Sequence, residues 1–152
     1  MAVFAIEKFA SAYPEAQDLL KLHWEEIAPY RDLLTLNPNV ATYEAHEAKE
    51  GICVITAREA GKIIGYIVML IHPHLHYKHV LMATDDIHFI HPDYRKGRTG
   101  LQLLTFAERE MKKRGVKLMA LRTKVNSNHG VLFEHLGYNA QDVVYTKRLD
   151  GD

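Results

Sequence analysis

The sequence predicts a mixed α/β domain. Three observations carry that expectation. Two β-branched runs, Ile52 to Ala57 and Lys62 to Ile71, are joined by Arg58-Glu59-Ala60-Gly61, which is a hairpin signal. A stretch from about Gly100 to Lys113 sets Leu104, Ala107 and Met111 on one helical face. Strand-like and helix-like runs follow one another in the approximate order βααβββαβαβ. At 152 residues, 47% apolar and 25% charged, the chain is long enough for one hydrophobic core and reads as a single domain over residues 1–152.

Each element has a local cause. Phe4 to Phe9 reads as a first strand. Tyr13-Pro14-Glu15 then opens a helix with Pro14 near its first position and Leu20, Trp24 and Ile27 as one apolar stripe, and Pro29 ends it. Leu33 to Pro38 is irregular. Asn39 can cap a helix running to about Lys49, and Gly51 breaks it. After the hairpin, His72 to His79 is polar and carries four histidines, and Val80 to Ile90 forms a strand containing Asp85-Asp86. The helix from Gly100 stops at Gly115. Lys117 to Lys124 reads as a strand, Asn128 to Leu136 as a short helix stopped by Gly137, and Val143 to Leu149 as a last strand.

Composition narrows the function classes. No apolar run approaches the roughly 20 residues that span a bilayer. Met1 to Lys8 lacks a signal peptide's cationic start and long apolar stretch. The expectation is a cytoplasmic protein without a membrane partner. The lone Cys53 has no internal disulfide partner and reads as a buried small hydrophobe. Net charge is zero, which argues against bulk nucleic-acid binding. The charge is segregated, however. Residues 1–90 hold 7 Lys/Arg against 12 Asp/Glu, and residues 91–152 hold 12 against 7, so the halves carry −5 and +5.

The basic half opens on the most informative segment, His91-Pro92-Asp93-Tyr94-Arg95-Lys96-Gly97-Arg98-Thr99-Gly100-Leu101. A strand that breaks at proline, turns through a basic glycine-bearing loop and opens a helix has the geometry of an anion cradle, because N–H groups at a helix start are unpaired and the macrodipole favours negative charge there. Arg95, Lys96 and Arg98 add cations where a helix start usually carries Asp or Glu. The alternative is a solvated basic turn. Familiar phosphate motifs fail: Gly100 is followed by Leu101-Gln102 rather than Lys-Ser or Lys-Thr, and the loop lacks the first glycine of a dinucleotide fingerprint.

Two motifs together resemble the GNAT superfamily of N-acetyltransferases, nearest to bacteriophage and bacterial members. Tyr94 to Gly100 is similar to the family's pyrophosphate loop: Arg or Gln, two residues, Gly, one residue, then Gly or Ala. Arg95 takes the first position, Gly100 the last, and Arg98 replaces the middle glycine. Asn126-Ser127-Asn128-His129-Gly130-Val131-Leu132-Phe133-Glu134-His135-Leu136-Gly137-Tyr138 resembles the second signature, an Asn before a helix that ends in an aromatic, three residues, Gly and an aromatic. Gly61 to Tyr66 resembles the family's central hairpin strand, and the likeness runs over residues 4–149.

The resemblance implies a twisted mixed sheet flanked by about four helices, acetyl-CoA as cosubstrate and no metal. It implies an acceptor amine on a small molecule, or on a protein or peptide, acetylated directly in a ternary complex. It leaves room for a homodimer. Arg95, Lys96, Gly97, Arg98, Thr99, Gly100 and Leu101 would hold the pyrophosphate, while Phe89 and Ile90 would pair with the pantetheine and thioester. Asn126 would bond the pantetheine. Phe133 stands where many members carry the tyrosine that protonates the leaving thiolate; it would be an aromatic wall, with water, Tyr138 or Tyr145 as substitute donors.

The acceptor's proton needs a base. Asp86 occupies the acidic position that similar enzymes use, and strict alternation would put His88 on the same face, with Asp85 opposite. Trp24, Tyr30, Leu33 and the His72–His79 loop would line the acceptor side. The loop's histidines also admit a metal reading, set aside for want of nearby cysteines or carboxylates. The competing class is a non-catalytic acyl-CoA-binding or interaction module on the same fold, motivated by Phe133.

Overall fold

A computed structural model describes residues 1–151, which fall into two compact units, Met1–Leu121 and a second that begins at Arg122. The first holds a five-stranded sheet in the order β1 (Val3–Glu7), β2 (Ile52–Glu59), β3 (Lys62–Pro73), β4 (Leu81–Ile90) and β5 (Leu118–Ala120). The first three pairings are antiparallel, and β4 with β5 is parallel. Its helices are α1 (Phe9–Glu15), α2 (Gln17–Ile27), α3 (Val40–Ala48) and α4 (Thr99–Lys113). The second unit holds α5 (His129–His135). The mixed α/β class is therefore observed, with five α-helices among the described residues where about four were expected.

Alternation in β2 and β3 sorts the core into two layers. Ile52, Val54 and Val68 face α1, where Phe9 and Ala12 are buried among them. The intervening residues, Cys53, Ile55, Ala57, Ile67 and Met69, are all at most 2% exposed and form the opposite layer. There α4, which packs on β2, β3 and β4, buries Leu103, Leu104, Ala107 and Met111. The β2–β3 hairpin turns on Ala60 and Gly61, both with positive φ (47° and 80°), the type I′ geometry that suits the twist of paired strands. Asn39 caps α3 as expected, its side chain accepting from the Thr42 N–H at 3.2 Å.

Six expectations need correction. The first strand ends at Glu7, and Phe9 begins a helix because its N–H is held by Glu47 at 2.9 Å and its ring stacks between Tyr13 and Tyr43. Pro14 lies inside α1 rather than opening α2, with the break at Ala16. The buried face of α2 is Leu19 and His23, while Ile27 of the expected stripe is 38% exposed. In the second unit, 143–149 forms no strand: Val143, Val144 and Tyr145 are exposed, and β-branched residues favour strands chiefly where a half-buried surface receives them. The third strand also runs on to Pro73, so His72 is a strand residue, and β5 is shorter than expected.

One polar cluster ties β1, α1 and the hairpin together. Arg58 grips Glu7 through Nε and Nη2 at 2.7 and 2.9 Å, Glu15 through Nη1 at 2.7 Å, and the Gly61 carbonyl at 2.7 Å. The Arg58 fork holds the Glu7 carboxyl below its ordinary 4.5, against the opposing pull of burial, and a Thr56 hydroxyl bond adds to the effect. A depressed folded-state pKa contributes stability above the unfolded value and loses it as pH falls through the folded value. Arg58→Met should therefore cost about 1.5–3 kcal/mol near neutral pH, the range for hydrogen bonds to charged groups. Denaturant titrations should show the gap between variant and parent narrowing as pH drops below 4.5. A pH-independent gap would refute the linkage.

Candidate active site

The decisive local feature of β4 is a bulge. Val68 pairs with Ile87 but Met69 pairs with Asp85, so Asp86 has no partner on β3. The extra residue inverts the alternation. Asp85, opposite Met69, and His88, opposite Ile67, both lie on the α4 layer, where Asp85 Oδ2 and His88 Nδ1 are 2.7 Å apart. Asp86 turns to the other layer and accepts from the Tyr43 hydroxyl of α3. The expectation that Asp86 and His88 share a face, with Asp85 opposite, is thus reversed. Burial pushes the Tyr43 phenol well above its ordinary value, with the neighbouring Asp86 adding to the shift, so the hydroxyl keeps its proton and remains a donor.

Beyond the bulge, β4 outruns its parallel neighbour. β5 pairs only with Met82, Ala83 and Thr84, which leaves Asp85 to Ile90 without a strand on that side among the described residues. Gly65 sits opposite Ile90, and the His91 N–H bonds the Ile64 carbonyl at 2.8 Å. In an antiparallel ladder that arrangement makes Gly65–Ile90 a non-hydrogen-bonded pair. Ile90 and His88 therefore present their N–H and C=O to the open edge, while those of Phe89 turn to β3. The pantetheine-pairing expectation for Phe89 is corrected accordingly: Phe89 contributes its ring to a core cluster with Leu19 and Tyr66.

After Ile90, His91 accepts from the Asp93 N–H, Pro92–Tyr94 make one 3₁₀ turn, and Lys96 to Arg98 bend into α4. No side chain caps that helix and no acid lies in its first turn. The N–H groups of Thr99, Gly100 and Leu101 precede the first intrahelical bond, Gln102 N–H to Arg98 C=O at 2.9 Å. Lys96, Gly97 and Arg98 are exposed. Arg98 lines an open groove of about 550 Å³ with Phe4, Phe106 and Arg109. Arg95 is committed elsewhere: its guanidinium forks onto Glu26 of α2 at 2.9 and 2.8 Å.

On the expected acceptor side, Trp24 Nε1 donates to the Leu34 carbonyl at 2.6 Å and Arg31 lies over the Trp24 ring. This folds an irregular segment bearing the exposed Tyr30 and Leu33 against α2. In the loop after β3, His74 packs on Tyr77 with ring centroids 4.7 Å apart. Among the described residues, no group of three or more His, Cys, Asp or Glu is arranged to hold a metal ion. No helix among them is long and apolar enough to cross a membrane.

The second unit, taken by itself, places Asn126 in an exposed turn before α5. Phe133 lies on α5 with its ring 6.0 Å from Tyr138, and the Tyr138 N–H closes back on the Phe133 carbonyl at 3.0 Å. Gly137 (φ +91°) makes the turn, as its position in the sequence predicted. Tyr145 is 92% exposed. Sequence reasoning missed Tyr43, His23 and Glu26, whose partners lie far along the chain and leave no local signature.

A bulged strand with an open edge thus runs into a basic loop and an uncapped helix start. The chain belongs to the acetyltransferase (GNAT) family, whose model matches residues 13–138. It is an acetyltransferase. Solved structures share the fold at low identity. The ribosomal-protein-alanine N-acetyltransferase of Brucella melitensis biovar Abortus 2308 is 17% identical with a TM-score of 0.71, covering 98% of this chain and 99% of that one. An aminoglycoside acetyltransferase, meta-AAC0020, from an uncultured soil metagenomic sample is 11% identical with a TM-score of 0.76, covering 98% and 97%. Glucosamine-6-phosphate N-acetyltransferase of Arabidopsis thaliana is 13% identical with a TM-score of 0.73, covering 99% of each chain. No curated protein matches the chain significantly in sequence.

Proposed function

We propose that the protein transfers the acetyl group of acetyl-CoA to an amine acceptor in a single ternary complex, from one domain that the family match spans across both units. The observation that carries this reading is the junction of β4 and α4. An unpaired strand edge runs directly into an uncapped, acid-free helix start flanked by Lys96 and Arg98. The residues present fit coenzyme A. The N–H groups of Thr99, Gly100 and Leu101 would receive the pyrophosphate, and Lys96 and Arg98 would add charge. The outward N–H and C=O of His88 and the N–H of Ile90 would pair with the amide-bearing arm as an added strand does.

Acetyl-CoA would supply an activated thioester; the protein's task is then to position the amine and take its proton. Asp86 suits that role because the bulge turns it off the α4 layer and Tyr43 holds its carboxylate in one orientation. His88, oriented by Asp85, lies on the opposite layer. Named acceptors of the fold relatives include a ribosomal-protein alanine, an aminoglycoside and a sugar phosphate. All are amines, which supports an amine acceptor here without choosing among them.

The test is thiol release from acetyl-CoA against a panel of polyamines, amino acids, aminoglycosides and peptides. The expected result is acceptor-dependent release with at least one class. Tight coenzyme A binding with no release on any acceptor would favour the binding-module reading that Phe133 motivates.

A further inference from the structure

Arg95 holds the first position of the pyrophosphate loop, yet its guanidinium is engaged within the protein. Nη1 and Nη2 donate to the two Glu26 oxygens at 2.9 and 2.8 Å, and Nε donates to the Ile90 carbonyl at 2.9 Å. The guanidinium carbon lies 4.9 Å from the centroid of the Phe89 ring. The Phe89 ring in turn stacks on His23 at 4.4 Å and 16°. His23 is buried on α2, three residues before Glu26, and its Nδ1 is 2.7 Å from the Tyr66 hydroxyl of β3. Two residues of one helix therefore grip the end of β4 and the start of the loop.

A forked Arg–carboxylate pair is geometrically specific and its charge is internally neutralised. Glu26 beside the guanidinium would also repel a diphosphate approaching it. Anion recognition is left to the helix start, Lys96 and Arg98. We infer that Arg95 is a positioning residue: with Glu26 it latches α2 to the β4–α4 junction, so that the placement of α2 sets how well the strand edge and the loop receive the acyl donor. This rests on the acetyl-CoA reading above and deepens it. The latch acts on both parts of the donor site at once, because Nε fixes Ile90, an edge residue for the arm, and the backbone of Arg95 leads into the phosphate-facing turn.

The two roles for Arg95 separate experimentally. Affinities and KM values are measured for acetyl-CoA and for S-acetylpantetheine, which lacks the nucleotide and pyrophosphate, with wild type, Glu26→Gln, Arg95→Ala and the double variant. The latch predicts that each single change weakens both donors roughly three- to tenfold with little change in kcat, as expected for a well-formed but partly exposed pair. It also predicts a double variant no weaker than the worse single variant. Glu26→Gln is isosteric, so it tests the latch even if Arg95→Ala fails to fold. The latch is overturned if Glu26→Gln binds acetyl-CoA as tightly as wild type, or if Arg95→Ala loses acetyl-CoA alone and keeps S-acetylpantetheine. Wild-type protein that bound neither donor would instead overturn the acetyl-CoA reading beneath it.

Discussion

Asp86→Asn should lower kcat by about 10²–10⁴-fold, the usual worth of a general base, and leave acetyl-CoA affinity unchanged. Both halves of that expectation come from the bulge in β4. Asp86 is the residue without a partner on β3, so its side chain leaves the α4 layer and meets Tyr43 on the other. The edge groups assigned to the donor, on His88 and Ile90, lie on the far side of the bulge from Thr84, where β5 stops. Asn preserves the size and shape of the side chain, so the loss should appear in turnover. Tyr43→Phe, which removes the hydroxyl but keeps the ring stacked on Phe9, should cost less. Steady-state kinetics on the best acceptor decide the matter. If Asp86→Asn turns over normally while His88→Gln does not, the base belongs to the Asp85–His88 pair on the α4 layer.

Gly65→Ala should damage stability and donor binding together. A Cβ at Gly65 would stand 2.9 Å from the Phe89 carbonyl oxygen and 2.5 Å from Ile90 Cδ1. The Ile90 side chain can rotate away, but the carbonyl belongs to the paired backbone and can move only with β4. Overpacking of this kind costs about 1–3 kcal/mol, which is a fall in Tm of roughly 2–12 °C for a chain of this size. The displaced strand end carries Ile90, so KM for acetyl-CoA should rise as well. The constraint is contact and not backbone freedom, because Gly65 is absent from the positive-φ residues. Thermal unfolding with parallel kinetics tests it; an unchanged Tm and KM would show that β3 and β4 do not approach this closely in solution.

Features legible in the sequence were those with local causes. The hairpin at Ala60-Gly61, the Asn39 cap, the buried stripe Leu104–Ala107–Met111 and the turn at Gly137 all depend on residues within a few positions of each other. The anion-cradle pattern of Arg95 to Leu101 is of the same kind, since a helix start exposes its N–H groups whatever packs behind it. Conversely, 143–149 has the composition of a strand and does not form one, because a strand needs a partner that composition does not supply.

By itself, then, the sequence determined the element order from α3 to α5, the mixed sheet, the loop-and-helix cradle and, through two spaced motifs, the family. Tertiary structure alone decided which carboxylate faces which layer, which main-chain groups line the open edge, and what Arg95 does. One unpaired residue in β4 puts Asp86 and His88 on opposite faces, and a period-2 reading cannot see a register shift that exists only relative to β3. Arg95 finds Glu26 across 69 positions and Tyr43 finds Asp86 across 43. Pairings at such separations are set by how layers pack, and they leave no period or spacing in the chain.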